Sequence, residues 1–155
     1  MLDDPIHQED KGFGAVADAL QHVLGNTCRL ATASLSCHWN VTGTQFSTLH
    51  LLFGEQYREL WEALDLLGER IRALDHPAIA DHADEVVVPI FQCRASFPPA
   101  NVMRHVLIDG HGNMIDALRA ALDVARAADD EGTTSILGER LVAHERHRWM
   151  LRALD

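Results

Sequence analysis

Basic charge is scarce in this chain of 155 residues: 13 lysines and arginines face 23 acids, for a formal net charge of −10 with histidine neutral. Attraction to phosphate needs a basic surface and the release of counterions, so the balance opposes loose binding to nucleic acid. An acidic interior that collects cations is a better use of it. Cysteine is also sparse. Cys28, Cys37 and Cys93 are odd in number and form no CxxC pattern, which argues against a disulfide framework and a zinc knuckle and fits a reducing cytoplasm. No stretch is long and apolar enough to cross a membrane. The first dozen residues set only Lys11 against Asp3, Asp4, Glu9 and Asp10 and lack the apolar core of a secretory signal. Sustained strand alternation, internal repeats and low-complexity segments are missing too. What remains is a chain of one-domain size, 47% hydrophobic, able to bury a substantial core.

The hydrophobic residues recur at helical steps. Phe46, Leu49, Phe53, Tyr57, Leu60, Leu64, Leu67, Ile71 and Leu74 make one apolar stripe, which predicts a long amphipathic helix. Leu51, Leu66, Asp65 and Glu69 lie off that stripe, so a second, mixed face is expected on the same helix. Upstream, Val16, Leu20, Val23, Leu24, Leu30, Ala31 and Leu35 predict a helix ending near His38 to Asn40. The short turn through Val41, Thr42, Gly43 and Thr44 then makes the two antiparallel neighbours. Pro77, Pro89, Pro98 and Pro99 punctuate a long connection, with one short helix expected over about Asp81 to Val88. Pro98 and Pro99 suit the first turn of a third helix with core residues Met103, Val106, Gly110, Met114, Ala117, Ala121 and Val124. The run Asp129, Asp130, Glu131, Gly132 breaks it, and Thr133 or Thr134 is expected to cap a fourth helix reaching Leu154. The fold class is all-α: a ferritin-like four-helix bundle with an extra short helix in the crossover between its second and third helices.

Four side chains carry metal-binding chemistry. Asp65 and Glu69 stand four residues apart, so both carboxylates project from one helix face and can grip one cation. His38 and His50 supply imidazole. His50 precedes Asp65 by fifteen residues on the same expected helix, about 22 Å at ~1.5 Å per residue, so one subunit cannot gather all four. If they converge, an antiparallel copy must bring its carboxylates to the first copy's histidines, and a twofold dimer then holds two equivalent sites. Plainer readings stand beside this one. The two acids can be a solvated face, with Glu69 paired to Arg70 or Arg72, and His38 can be a helix cap or a buried hydrogen-bonded ring. His144 and His147, three apart on one helix face, suit an extra metal, but plain surface placement is the favoured expectation. The run Asp129, Asp130, Glu131 and the helix acids Glu139 and Glu145 fit a metal entry pore or a mineral-seeding patch, with a plain solvated loop an equal reading for the run.

The words around these residues decide between them. Cys37-His38-Trp39-Asn40-Val41-Thr42-Gly43, then His50 twelve residues after His38, then Asp65 through Glu69-Arg70, resemble the Dps family of mini-ferritins, the DNA-binding proteins from starved cells. His144-Glu145 and Trp149-Met150-Leu151-Arg152 resemble the family's closing helix. The resemblance covers the chain from about Phe13 and implies a ferritin-like Dps domain over residues 13–155 behind an acidic tail at 1–12. It implies that His38 and His50 come from one subunit and Asp65 and Glu69 from its twofold mate, in a hollow dodecamer. The implied activity is that of a ferroxidase: Fe²⁺ is oxidised to Fe³⁺ at a di-iron centre by hydrogen peroxide, or more slowly by dioxygen, and ferric oxide is stored against oxidative damage. Asp65 is then the bridging carboxylate and Glu69 a terminal ligand. Trp39 is a candidate electron donor, with interface packing its plainer role. Zinc is a substitute for iron at the same ligands, or the cargo of a non-redox metal buffer. Binding to DNA, and with it a nucleoid location, is the other alternative. The acidic tail speaks against direct contact of that kind, since some members of the family bind DNA through lysine-rich tails.

Overall fold

A computed structural model describes residues 12–80 and 97–154. Four helices make up the described chain: α1 (Phe13–Asn40), α2 (Phe46–Ala73), α3 (Ala100–Ala127) and α4 (Glu131–Arg152). They form two tight pairs, α1 with α2 and α3 with α4; α1 packs across onto α3, and α2 touches α4 more sparsely. Among the described residues there is no strand and no helix long and apolar enough to cross a membrane. The expected short helix over 81–88 and the tail at 1–11 lie outside the described residues.

Buried leucines and their neighbours fill the space between helices. Leu20, Leu24 and Leu30 of α1 meet Leu49, Phe53, Leu60, Leu67 and Ile71 of α2, with Leu107 and Leu118 of α3 and Leu137 and Leu151 of α4 closing the core. Of the α2 stripe expected from the sequence, Leu49, Phe53, Leu60, Leu67 and Ile71 are buried and Tyr57, Leu64 and Leu74 partly so, while Phe46 is exposed and stacks on His50 instead, with ring centroids 5.0 Å apart. The α3 stripe is rotated by about one residue. Met103, Leu107, Ile108, His111, Met114, Ile115, Leu118 and Ala121 face inward, while Val106, Gly110 and Ala117 are only partly buried. Two polar residues on the buried face, Arg104 and His111, hide the true stripe from hydropathy. Arg104 belongs there because its guanidinium donates to the Leu151 carbonyl oxygen at 2.9 Å, satisfying an acceptor that the end of α4 leaves over.

The turn into α4 also differs in detail from the expectation. Asp130, rather than Thr133 or Thr134, is the cap, its Oδ1 accepting from the Thr133 backbone N–H at 2.9 Å and its Oδ2 from the Thr133 hydroxyl at 2.7 Å. Arg70 reaches across from α2, donating to Asp130 Oδ1 at 2.7 Å and to Thr133 Oγ1 at 2.9 Å. Burial opposes ionisation of Asp130, but the hydrogen bonds from Thr133 and Arg70 outweigh it and hold the carboxyl below its ordinary range. Asp130 is therefore neither a pore acid nor part of a solvated loop. At the other pair, Pro99 is the residue before α3 and not within its first turn.

Candidate metal centre

His38 lies in the last turn of α1 and His50 in the second turn of α2, so the short connection between these helices brings the two rings face to face. Their centroids are 3.9 Å apart and their planes 20° from parallel. Each ring is fixed by the other's backbone: His38 Nδ1 donates to the His50 carbonyl oxygen at 2.6 Å, and His50 Nδ1 donates to the His38 carbonyl oxygen at 2.8 Å. The His38 carbonyl is free to accept because α1 ends two residues later. A carbonyl cannot donate, so the hydrogen of each neutral ring sits on Nδ1 and the lone pair on Nε2. Carbonyl-anchored imidazoles with a bare Nε2 are the usual presentation of histidine to a metal.

Gly54 makes this arrangement possible. It sits one helical turn beyond His50, and a Cβ there would lie 2.8 Å from His38 Nδ1 and 2.9 Å from its Cε1. Only a residue without a side chain lets the ring lie against α2. Cys37, immediately before His38, is completely buried, and burial pushes its thiol up to about 12.

Asp65 and Glu69 lie on an exposed face near the far end of α2. They have no hydrogen bond or ion pair among the described residues. Arg70 is committed to Asp130 and Arg72 to the His76 carbonyl oxygen, so neither neutralises Glu69, contrary to the plainer expectation. Because α2 is continuous, Asp65 remains about 22 Å and Glu69 about 28 Å along its axis from His50. Among the described residues no group of three histidine, cysteine or acidic side chains in one subunit surrounds a cation. Each pair is thus a partial ligand set. Exposed apolar side chains flank them: Trp39 is 67% exposed, Leu51 70% and Trp61 58%, with Phe46 and Leu66 also uncovered.

Other candidates fare differently. Glu139 and Glu145 are exposed on α4, Glu145 paired with Arg119 at 3.2 Å. His144 and His147, expected at the surface, are buried, because their face of α4 turns into the bundle toward His111 and Glu59. Reasoning from sequence passed over His111, Gln56, Glu59 and Gly54. An isolated glycine within a strong helical pattern was the available signal for Gly54.

Residues 17–155 match the ferritin-like domain family. A DNA protection during starvation protein from Brevibacillus brevis is 32% identical over 138 residues, covering 89% of this chain and 93% of that protein. The chain belongs to the Dps family. Solved Dps structures agree in shape. The protein from Bacillus brevis superposes with a TM-score of 0.82 at 30% identity, over 94% of this chain and 98% of that one. A Dps protein from Vibrio cholerae, described as a member of a broad superfamily of ferritin-like diiron-carboxylate proteins, gives 0.82 at 25% identity, over 92% and 89%.

Proposed function

We propose that this Dps chain oxidises Fe²⁺ at centres shared between two subunits and stores the ferric product inside a dodecameric cage. The observation that carries this is the reciprocally anchored histidine pair: two lone-pair nitrogens held ready beside exposed apolar side chains, with two carboxylates that have no partner among the described residues out of reach on the same helix. An antiparallel partner closes that gap, covers Trp39, Leu51, Trp61 and Leu66, and yields two equal sites. Imidazole and carboxylate with few protein ligands suit iron and leave coordination positions open for the oxidant. The diiron-carboxylate description of the Vibrio cholerae relative supports a paired iron centre here.

In this reading His38 and His50 are terminal ligands from one subunit, the mate's Asp65 spans two irons, and its Glu69 is terminal. Two ferrous ions give one electron each to one hydrogen peroxide molecule, which accepts both and is reduced to the level of water; dioxygen is the slower oxidant. Hydrolysis of the Fe³⁺ deposits ferric oxide and releases protons. Consuming Fe²⁺ and peroxide together removes the ingredients of hydroxyl-radical damage. Trp39, next to His38 and open to the interface, is placed to give an electron to a radical that escapes the iron, besides packing against the mate. Zinc competes for the same donors.

The name of the Brevibacillus relative, DNA protection during starvation protein, favours a second reading, direct binding to DNA. Lys11 is the sole lysine of this chain, and the net charge is −10. Protection through iron and peroxide removal needs no contact with DNA. Plasmid retardation at low salt tests the alternative, and a tight complex would establish it. The ferroxidase reading is tested by anaerobic Fe²⁺ loading followed by peroxide, with ferric absorbance recorded for wild type and for Asp65→Ala/Glu69→Ala. Equal rates would overturn it. Subunits carrying His38→Ala/His50→Ala, mixed and reassembled with the carboxylate double variant, are expected to recover activity in those dimers that regain one intact centre. No recovery despite proven subunit exchange would refute the shared site.

A further inference from the structure

The middle of the bundle holds a second group of imidazoles that the metal centre does not use. His111 on α3 and His144 and His147 on α4 are exposed by 0%, 1% and 0%. His111 Nδ1 lies 2.9 Å from His144 Nδ1, and the His111 ring is tilted against both others at 5.1 and 5.3 Å between centroids. Gln56 Oε1 on α2 stands 3.3 Å from His111 Nε2. With Gln56 oriented as it is, these contacts assign the hydrogens. Gln56 Oε1 can only accept, so His111 Nε2 carries its hydrogen and His111 Nδ1 is bare. His144 Nδ1 must then donate to it, and His144 Nε2 is left bare, buried and without a partner among the described residues. Both rings are neutral in this arrangement. An added proton has nowhere good to go: on His144 Nε2 it meets no acceptor, and on His111 Nδ1 it faces another N–H.

Fixed charge reinforces the point. Glu59 on α2 binds His147 Nε2 at 2.5 Å, Arg140 at 3.1 Å and, toward solvent, Arg146 at 2.9 Å. The His147 hydrogen bond and the arginine pull the Glu59 carboxyl down to about 2 against the opposing effect of burial. The titratable and charged groups acting on the pair are thus Glu59 from α2 and Arg140 and His147 from α4. From α1 none acts, and Leu30 packs against Gly110 beside the cluster. Burial first, then the neighbouring His144 and His147, holds His111 well below the ordinary histidine range, and burial with the positive Arg140 holds His144 down at about 3. A resident cation does not account for the group. Its donors do not surround a cation-sized point as they stand, and Arg140 would repel one.

We propose that this cluster is an acid-sensitive latch: α3 and α4 stay joined at the bundle centre only while the His111–His144 pair is uncharged, and acidification opens the subunit from there. In the unfolded chain both histidines take up protons below about pH 6.5, whereas in the fold they resist until far lower. Their contribution is complete above pH 6.5 and is lost progressively below it, for His144 as the pH falls toward about 3. Each neutral ring lowers the folded-to-unfolded ratio about tenfold per pH unit in that window, and the pair about a hundredfold. Glu59 contributes to acid sensitivity only below its ordinary value of 4.5, so above pH 5 the response belongs to the histidines.

The test follows denaturant unfolding of the assembled full-length protein by circular dichroism, at fixed protein concentration, between about pH 7.5 and pH 5. Wild type is expected to lose stability steeply below pH 6.5. His111→Gln/His144→Gln keeps polar side chains but cannot titrate, and should lose most of that slope while oxidising iron normally at pH 7.5. An equally steep slope in the variant overturns the proposal. Should the variant fail to fold, exchange of the histidine C2 hydrogens of wild type, read by mass spectrometry, decides the matter. His111 and His144 are expected to remain unprotonated at pH 5, and an ordinary midpoint near 6.5 at both overturns it.

Discussion

Two histidine pairs sit in one subunit and have opposite fates. His38 and His50 donate their Nδ1 hydrogens to backbone carbonyls, so each keeps a lone pair to offer to something outside the chain. His111 and His144 share a hydrogen with one another in the dry centre, so the pair is largely spent on its own contact. What separates ligand from structural element is the group facing the Nδ1 nitrogens: a backbone carbonyl for each ring of the outer pair, another imidazole for the inner one.

The comparison breaks most completely at the carboxylates. Asp65→Ala with Glu69→Ala should reduce peroxide-driven iron oxidation at least 100-fold in stopped-flow absorbance, with the helical circular dichroism unchanged, because neither side chain supports the fold. Next in size is the interface. Leu51→Glu with Trp61→Glu places charge on the uncovered face, and sedimentation should show loss of the assembled species together with loss of turnover. Gly54→Ala then sharpens the contrast at the outer pair alone. The new methyl displaces the His38 ring from its carbonyl, and metal affinity measured by titration calorimetry is expected to fall about 10- to 100-fold. The same substitution raises helix propensity, so stability should fall by only about 1–3 kcal/mol from overpacking. Smallest is Asp130→Ala, which removes a cap and strands Arg70 while leaving both histidine pairs intact. A loss of about 1–2 kcal/mol in denaturant unfolding at pH 7 is expected, with iron oxidation preserved. Since the folded carboxyl is held below its ordinary range, that difference should persist above pH 4 and shrink as the pH falls through the folded value.

How much was legible in the sequence follows from the kind of information each feature needs. Four helices and their turns could be read because apolar periodicity and proline placement are local. The separation of His50 from Asp65 could be read because a helix has a fixed rise, and the continuous α2 preserves it. The α3 face could not, since Arg104 and His111 are buried by partners on other helices that hydropathy does not weigh. The same blindness placed His144 and His147 at the surface: a histidine is polar alone and core-compatible only once His111 and Glu59 are set opposite. Asp130 was hidden for a related reason. Its role depends on Arg70, sixty residues away. The histidine pair itself was visible as spacing, but its reciprocal anchoring, and the glycine that makes room for it, are facts of contact.

Cys37 gives the proposed chemistry a further consequence. A thiol becomes a target for peroxide through its thiolate, and one pushed up to about 12 and sealed from solvent is almost never in that form at neutral pH. The neighbour of a peroxide-consuming centre is thereby spared sacrificial oxidation, and the protein can pass through many catalytic cycles without a reductase to repair it at this position.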